Sequence, residues 1–524
     1  MQHFAFGLWQ ARQARPRAPP CAAVVSSRPP DAKTLSDPLE LRYIKGMNTK
    51  VAPVRQDLLD RIRAVVGDKG CLTDAGDMAP YLNSWRDSRR GRSPMVVRPA
   101  STREVAAVVT LCHEARTPIV PQAGNTGLTG GSTPSMSGDE IVLSVGRMNR
   151  VREIDVPNDT MTVEAGCVLA HLQQKAQEVD RLFPLSLGAK GTCQIGGNLS
   201  TNAGGTNALK YGSARNLVLG LEVVLPDGQI WNGLRGLRKD NAGYDLKQIF
   251  IGAEGTLGII TQAVLKLFPR PKDQQTALVA VRDPQAAVEL LSRARMASGE
   301  AVTSFEIMQR FGIDLVIRHL PQTPDPLAKR YEWYVLMELS GADSSGALRT
   351  TLESILADAM EAGLVFDATI AASEAQARAM WKMREDHAEA LKELGLSVSH
   401  DVSVPISRIA EFISRANAAL IKSYPDIKLL GFGHIGDGNI HYSPGWEKAP
   451  DIARKAKERD AINRIVHDIV VDLGGSISAE HGLGLLRREE AKHYKSPVEM
   501  HLMRTLKRAL DPYNLMNPGK LVEI

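Results

Sequence analysis

The chain has 524 residues, 43% hydrophobic and 23% charged, an ordinary globular composition long enough for two or three domains with buried cores. Its formal charge of +5 sits mostly at the front: residues 1–46 hold Arg12, Arg15, Arg17, Arg28, Lys33, Arg42 and Lys45 against Asp31, Asp37 and Glu40, so the remainder is near neutral. That excludes the basic stripe of a nucleic-acid binder; no apolar run reaches the ~18 residues of a membrane span; and the scattered Cys21, Cys71, Cys112, Cys167 and Cys193, with no CxxC pair, exclude a disulfide frame or an iron–sulfur site.

Residues 1–46 are rich in Arg, Pro and Ala and hold no acid before Asp31. Pro16, Pro19, Pro20, Pro29 and Pro30 spoil an amphipathic helix. The expectation is therefore a disordered or untranslated extension ahead of a start at Met47, with an organelle leader as the alternative. From there 54–67 reads as a helix closed by Gly67, 95–101 as a short strand, 102–115 as an amphipathic helix, and 118–124 as a buried strand entering a glycine loop. Strand-like runs near 141–146, 161–169, 221–231 and 258–268 complete an α+β domain over 47–270.

Composition changes at Pro269-Arg270-Pro271-Lys272, the main expected boundary. Beyond it a strand at 277–283, helix 284–298, strand 331–341 and helix 347–363 suggest a sheet with helices on one face. A helix over 371–394, a strand near 398–404, a helix over 407–423, a strand-like 476–478 and helical segments to Leu510 follow. We divide the chain into 1–46, a cofactor domain 47–270, a substrate domain 271–484 and a C-terminal segment 485–524 that packs on the cofactor domain.

Three polar glycine loops mark the first domain. Pro121-Gln122-Ala123-Gly124-Asn125-Thr126-Gly127-Leu128-Thr129-Gly130-Gly131-Ser132 follows a buried strand and offers consecutive N–H groups able to curl round an anion. Alone it is more often a mere turn. Two more follow, one from Leu187-Gly188 through Thr192, Gly197 and Asn198 to Thr201, Asn202 and Gly204, the other from Glu254 to Gly258, Ile259 and Ile260. Three such loops are costly in chain entropy unless something as large as a dinucleotide lies against them. The literal GxGxxG at Gly431–Gly436 is a decoy, because a turn and a strand follow it where a nucleotide motif needs a helix.

His434-Ile435-Gly436-Asp437-Gly438-Asn439-Ile440-His441 sets two imidazoles across a Gly-Asp-Gly turn, and Glu480-His481 adds a carboxylate and a third imidazole beside glycines. Two His and one Glu suit zinc or a similar ion with open positions, although any single His is more often a hydrogen-bonded turn residue.

Together PQAGNTGLTGG, LGAKGTCQIGGNLSTNAGG, GLEVVLPDG, LRKDNAGYDLKQIFIGAEGTLGIIT, HIGDGNIH, AEHG and LDPYNLMNPGK resemble the vanillyl-alcohol-oxidase type of FAD-linked oxidoreductase over residues 50–524, closest to its D-2-hydroxyglutarate and D-lactate dehydrogenase branch. The resemblance implies a two-part FAD domain on the three loops, a substrate ("cap") domain, and a C-terminal segment that brings Asn517 and Lys520 to the isoalloxazine end. Asn125 and Thr126 stand where covalently flavinylated relatives carry a linking residue, so FAD is expected to bind without a covalent bond.

The resemblance also assigns His434, His441 and Glu480 to a divalent metal, zinc being the expected ion, and makes His481 the catalytic base, an imidazole able to accept the hydroxyl proton. Arg384, in a matching WxxRE segment, would grip the substrate carboxylate. The implied reaction is FAD-dependent oxidation of a D-2-hydroxy acid to the 2-oxo acid, with hydride passing to the flavin; a related oxidase using oxygen is the alternative. Electrons would leave to an electron-transfer flavoprotein, a cytochrome or a quinone, and a homodimer is the family expectation. Ala388, Ser399 and Ser443 depart from the Thr, Lys and Asn of D-2-hydroxyglutarate dehydrogenases, with a protonated His400 as the substitute for the lost Lys. A bacterial-type cytoplasmic enzyme is expected, or a mitochondrial one if residues 1–46 are a leader.

Overall fold

Local rules account for the first elements. Helix Gln56–Val66 buries Leu58, Leu59, Ile62 and Val66 along one stripe and stops at Gly67, whose φ of 68° a side chain would resist. Helix Thr102–Glu114 begins where the Ser101 hydroxyl accepts the N–H of Glu104, and it buries Val105, Val108, Val109 and Cys112. These coordinates are a computed structural model describing residues 54–84, 89–394, 396–447 and 452–524, so the expectations for residues 1–46 and Met47 lie outside the described residues.

Both helices cover a four-stranded sheet in the order Cys71–Leu72, Val96–Val97, Ile141–Ser144, Ile119–Gln122, its last three strands parallel. A second sheet, wholly antiparallel, runs Val151–Asp155, Thr160–Glu164, Ile259–Lys266, Val218–Val224, Ile230–Gly233 and has its own core. The glycine loops leave the ends of Ile119–Gln122, of helix Ile195–Ser200 and of the segment entering Ile259–Lys266, where the two sheets meet.

A seven-stranded antiparallel sheet is the largest: Val365–Ile370, Asp273–Val281, Trp333–Gly341, Val302–Gln309, Gly431–Gly433, Asn439–Tyr442, His400–Ser403. Helices Pro284–Ser298, Ala347–Glu361, Ile409–Ser423 and Ile452–Asp472 cover one face. The other face is not bare, contrary to the expectation of helices on one side: Arg310–His319 and Glu374–Glu385 pack there against Leu278, Met308 and Leu336. The helix expected over 371–394 breaks at Asp386 into Glu374–Glu385, His387–Ala390 and a tight turn at Leu391–Leu394. Residues 476–478 make only an isolated bridge, Ser403 to Ser476.

Helix Pro497–Leu510 starts at a Ser496–Glu499 capping box and returns the chain to the first sheet. There Ile119 donates to the Leu515 carbonyl at 2.7 Å, Asn517 donates to Ile119 at 2.7 Å, and Met516 bridges Ile119 in parallel. The buried Lys507 ammonium ties this return together, bonding Asp511 at 2.6 Å and the carbonyls of Thr256 and Met516 at 2.8 and 2.7 Å.

Candidate active site

The three glycine loops line one cleft of about 1200 Å³ between the two smaller sheets and the large one, above the roughly 300–1,000 Å³ typical of a drug-sized ligand. Pro121, Gln122, Gly124, Asn125, Thr126, Gly127, Leu128, Ser132, Leu187, Gly188, Gly197, Asn198, Thr201, Gly204, Glu254, Gly258, Ile259 and Ile260 all face it. The backbones pack closely: a Cβ on Gly124 would come within 2.6 Å of the Thr192 carbonyl. Buried Gln122 Oε1, Gln194 Oε1 and Asn198 Oδ1 have no hydrogen-bond partner, as expected where a polar ligand supplies it. The residues fit a dinucleotide.

Thr192, Asn202 and Asn517, expected to touch the cofactor, do not line this cleft, and Thr192 is exposed. Asn202 instead accepts from Ser213 Oγ at 2.9 Å and the Arg215 N–H at 2.9 Å. Asn517, 1% exposed, donates to the carbonyls of Gly131 and Glu254, both at 2.8 Å, and so staples the first loop to the third. Lys520 is also buried, at 3%. Asn125 sits at φ 52° with its amide on Pro80 and Asn83, and Cys193, the thiol on the wall, is pushed up in pKa by burial.

The opposite wall comes from the large sheet. Strands Gly431–Gly433 and Asn439–Tyr442 form a hairpin with Phe432 opposite His441, so the Gly-Asp-Gly turn is a strand reversal and the GxGxxG match is accidental. It sets the rings of His434 and His441 5.4 Å apart. From the neighbouring strand the fully buried Glu306 accepts from His434 Nδ1 at 2.7 Å and from Arg384 Nε at 2.7 Å. Burial alone would raise the Glu306 pKa, but the His434 and Arg384 charges outweigh it and hold it at about 2. Burial likewise opposes charge on His434, yet Glu306 lifts it to about 9. Arg384, 6% exposed, thus has one edge committed to Glu306, lies over the Phe432 ring at 4.9 Å and faces the cleft.

Asp401 was not foreseen as a site residue. Its carboxylate accepts the N–H groups of Glu480 and His481 at 3.0 and 2.9 Å and the Asn439 amide at 2.9 Å. It faces Nδ1 of His441 at 3.9 Å and of His481 at 3.5 Å, while both Nε2 atoms face Glu480, at 3.7 and 3.8 Å. Burial works against the Asp401 charge, but His481, His441 and Arg487 hold its pKa well below the usual carboxylate range.

Asp401, His441, Glu480 and His481 offer ligand atoms within 4.8 Å of one another. The 3.7 Å between His441 and Glu480 is too long for a hydrogen bond and close to the ~3.4 Å between two ligands of a tetrahedral ion bound at ~2.1 Å. The donor chemistry therefore fits a cation. His434 falls outside this tight group, but its Nδ1–Glu306 bond is the carboxylate–imidazole pairing that orients a metal-bound histidine.

Past Arg384 the cleft is lined by Ala388, by Ser399 and Ser443, whose hydroxyls lie 3.3 Å apart, and by His400. His400 does not replace the missing Lys as a cation. Burial, reinforced by His467, pushes its pKa down to about 3, so the ring is neutral.

Comparison with known proteins agrees with this architecture. Residues 93–233 match the model of an FAD binding domain and residues 270–521 that of the C-terminal domain of FAD linked oxidases. The chain is 36% identical over 520 residues to the mitochondrial D-2-hydroxyglutarate dehydrogenase of Bos taurus, covering 98% of this chain and 91% of that one. It is 36% identical over 461 residues to the corresponding mitochondrial enzyme of Arabidopsis thaliana, covering 88% and 80%. Both are named mitochondrial, which does not support the cytoplasmic expectation and agrees with its alternative. A p-cresol methylhydroxylase structure with substrate bound superposes with a TM-score of 0.71 at 19% identity, covering 90% of this chain and 99% of that one. The chain belongs to the FAD-linked oxidase family and is an FAD-dependent oxidoreductase with the two-part flavin domain of the vanillyl-alcohol-oxidase type.

Proposed function

We propose that the protein is an FAD-dependent dehydrogenase that converts a D-2-hydroxy acid to the 2-oxo acid. The observation that carries this reading is the convergence of Arg384, His441, Glu480 and His481 on the cleft that the glycine loops line. Arg384 receives the substrate carboxylate, and Glu306 fixes the guanidinium plane from behind. His481 takes the α-hydroxyl proton at Nε2, since Asp401 lies at its Nδ1 side and holds the Glu480–His481 backbone in place.

His434, His441 and Glu480 would hold a divalent ion, zinc by its donor set. When bound, that ion makes the α-hydroxyl more acidic, and FAD, held without a covalent bond, serves as hydride acceptor. A separate acceptor (an electron-transfer flavoprotein, a cytochrome or a quinone) takes the electrons onward. We read residues 1–46 as a mitochondrial-type leader, in line with the names of the relatives and the acid-poor composition.

The test is anaerobic reduction of the bound flavin across a panel of D- and L-2-hydroxy acids. Bleaching of the 450 nm band by D-acids alone is the expected result. Failure of every member to bleach it would overturn the reading.

A further inference from the structure

The far end of the cleft, beyond Arg384, carries few free positive charges and several unused acceptors. Where a dicarboxylate-oxidising enzyme needs a cation, Ser399 and Ser443 present a hydroxyl pair. Arg384 is committed on one edge to Glu306. Arg487 donates Nη1 to the carbonyls of Asp401 and Ile477, and its charge is balanced by the Asp401 carboxylate. Arg459 lines the mouth but is exposed, where water screens it. Among the described residues, no buried cation there is left without a structural partner.

Two imidazoles supply the acceptors. His400 and His467 are each 3% exposed, line the cleft, and meet edge to face with centroids 5.4 Å apart. The Nδ1 proton of His400 is committed to the Tyr442 carbonyl at 3.0 Å, and that of His467 to Glu490 at 3.1 Å. The Nε2 of His467 then offers a lone pair without a hydrogen-bond partner, whereas the Asn463 side chain lies beside that of His400. A buried acceptor without a donor is costly, and a ligand hydroxyl would relieve it. A second carboxylate would instead press its oxygens against the His467 lone pair.

We propose that this end of the cleft takes an uncharged, hydroxyl-bearing chain, so that the preferred substrate is a hydroxylated D-2-hydroxy acid and not a dicarboxylate. The proposal rests on the D-2-hydroxy-acid reading above. It makes His467 a specificity-determining residue, with His400 packed edge to face against it.

Steady-state oxidation by the holoenzyme of three four- and five-carbon acids decides it: D-2,4-dihydroxybutyrate, D-2-hydroxybutyrate and D-2-hydroxyglutarate. The dihydroxy acid is expected to show kcat/KM at least tenfold above either of the others. His467→Phe should erase its advantage over D-2-hydroxybutyrate, and His467→Gln, which keeps an acceptor, should recover part of it. Best turnover of D-2-hydroxyglutarate, or an unchanged ratio in a yellow His467→Phe protein, overturns the proposal while leaving the functional reading intact. Should His467→Phe fail to fold, the wild-type ranking alone decides. If no D-2-hydroxy acid bleaches the flavin, the functional reading itself is wrong and this subsite falls with it.

Discussion

Glu254, on the third cofactor loop, accepts the main-chain N–H of Gly484 at 2.8 Å, and its other oxygen accepts that of Leu483 at 2.8 Å. The loop that carries Glu480 and His481 is thus hung from the flavin side of the cleft. Gly482 makes this possible: with φ at 80° and a Cβ that would come 2.7 Å from Glu254 Oε1, no larger residue fits without displacement.

Burial raises the Glu254 pKa to about 7, against the pull of those two N–H groups. A carboxyl that is more basic in the fold than in the unfolded chain contributes stability that is complete below the unfolded value and lost as pH rises through the folded one. Wild type should therefore lose ground to Glu254→Gln between pH ~4.5 and ~7, by on the order of 3 kcal/mol. Thermal melts of both proteins across that range check it, and parallel Tm curves would refute it.

Arg384→Ala removes the proposed substrate anchor and strands the fully buried Glu306 beside His434 alone. We expect a raised KM, slower flavin reduction, and destabilisation of about 3–5 kcal/mol from the half-broken buried pair. Arg384→Lys should recover stability more than turnover, because an ammonium lacks the two-pronged geometry. Equal recovery of both would count against the anchoring role.

Removal of the proposed cation should stop chemistry without releasing the flavin. A strong chelator, or His441→Ala, is expected to lower flavin reduction by about 10²-fold or more while the absorbance of bound FAD stays intact. Metal analysis should find about one ion per wild-type chain and none in the variant. A chelated enzyme that still reduces at full rate would remove the ion from the mechanism.

Ser399→Lys places an ammonium near Ser443 and the Ala388 side of the cleft. Preference should move toward D-2-hydroxyglutarate, by roughly tenfold for one new charge-assisted bond of about 1.5 kcal/mol. Parallel kinetics on the diacid and a monoacid report it, and an unchanged ratio would put Ser399 outside the pocket.

Lys507→Met leaves Asp511 buried at 1% exposure without its 2.6 Å partner and frees the carbonyls of Thr256 and Met516. A loss of about 3–5 kcal/mol and weaker FAD retention on dilution are expected. Unaltered FAD binding would show that the return segment is not needed to shape the cleft.

Much of this was legible in the residues because the informative features are local. Helix Pro284–Ser298 follows from the Asp283 cap, Pro284 in the first turn and Gly299 at φ 57°. The glycine loops and the His434–His441 hairpin were likewise readable from short-range pattern. Strand Val302–Gln309 was missed: all but its last residue are buried, so it lacks the alternation that betrays a strand with one wet face. With it went Glu306, a lone acid in an apolar run whose importance comes wholly from Arg384 and His434 arriving from other segments. Asp401 was passed over for a similar reason, since its partners Glu480 and His481 lie about 80 positions downstream. The neutrality of His400 was also hidden, because burial and the His467 ring exist only in the folded chain.

The stapling of Asn517 to Gly131, 386 positions apart, sets an order of events during synthesis. The first cofactor loop leaves the ribosome long before the segment that braces it, so this wall stays open until that segment has been made. Flavin capture then waits on that segment, and truncations that remove Asn517 should act on cofactor loading before they act on catalysis.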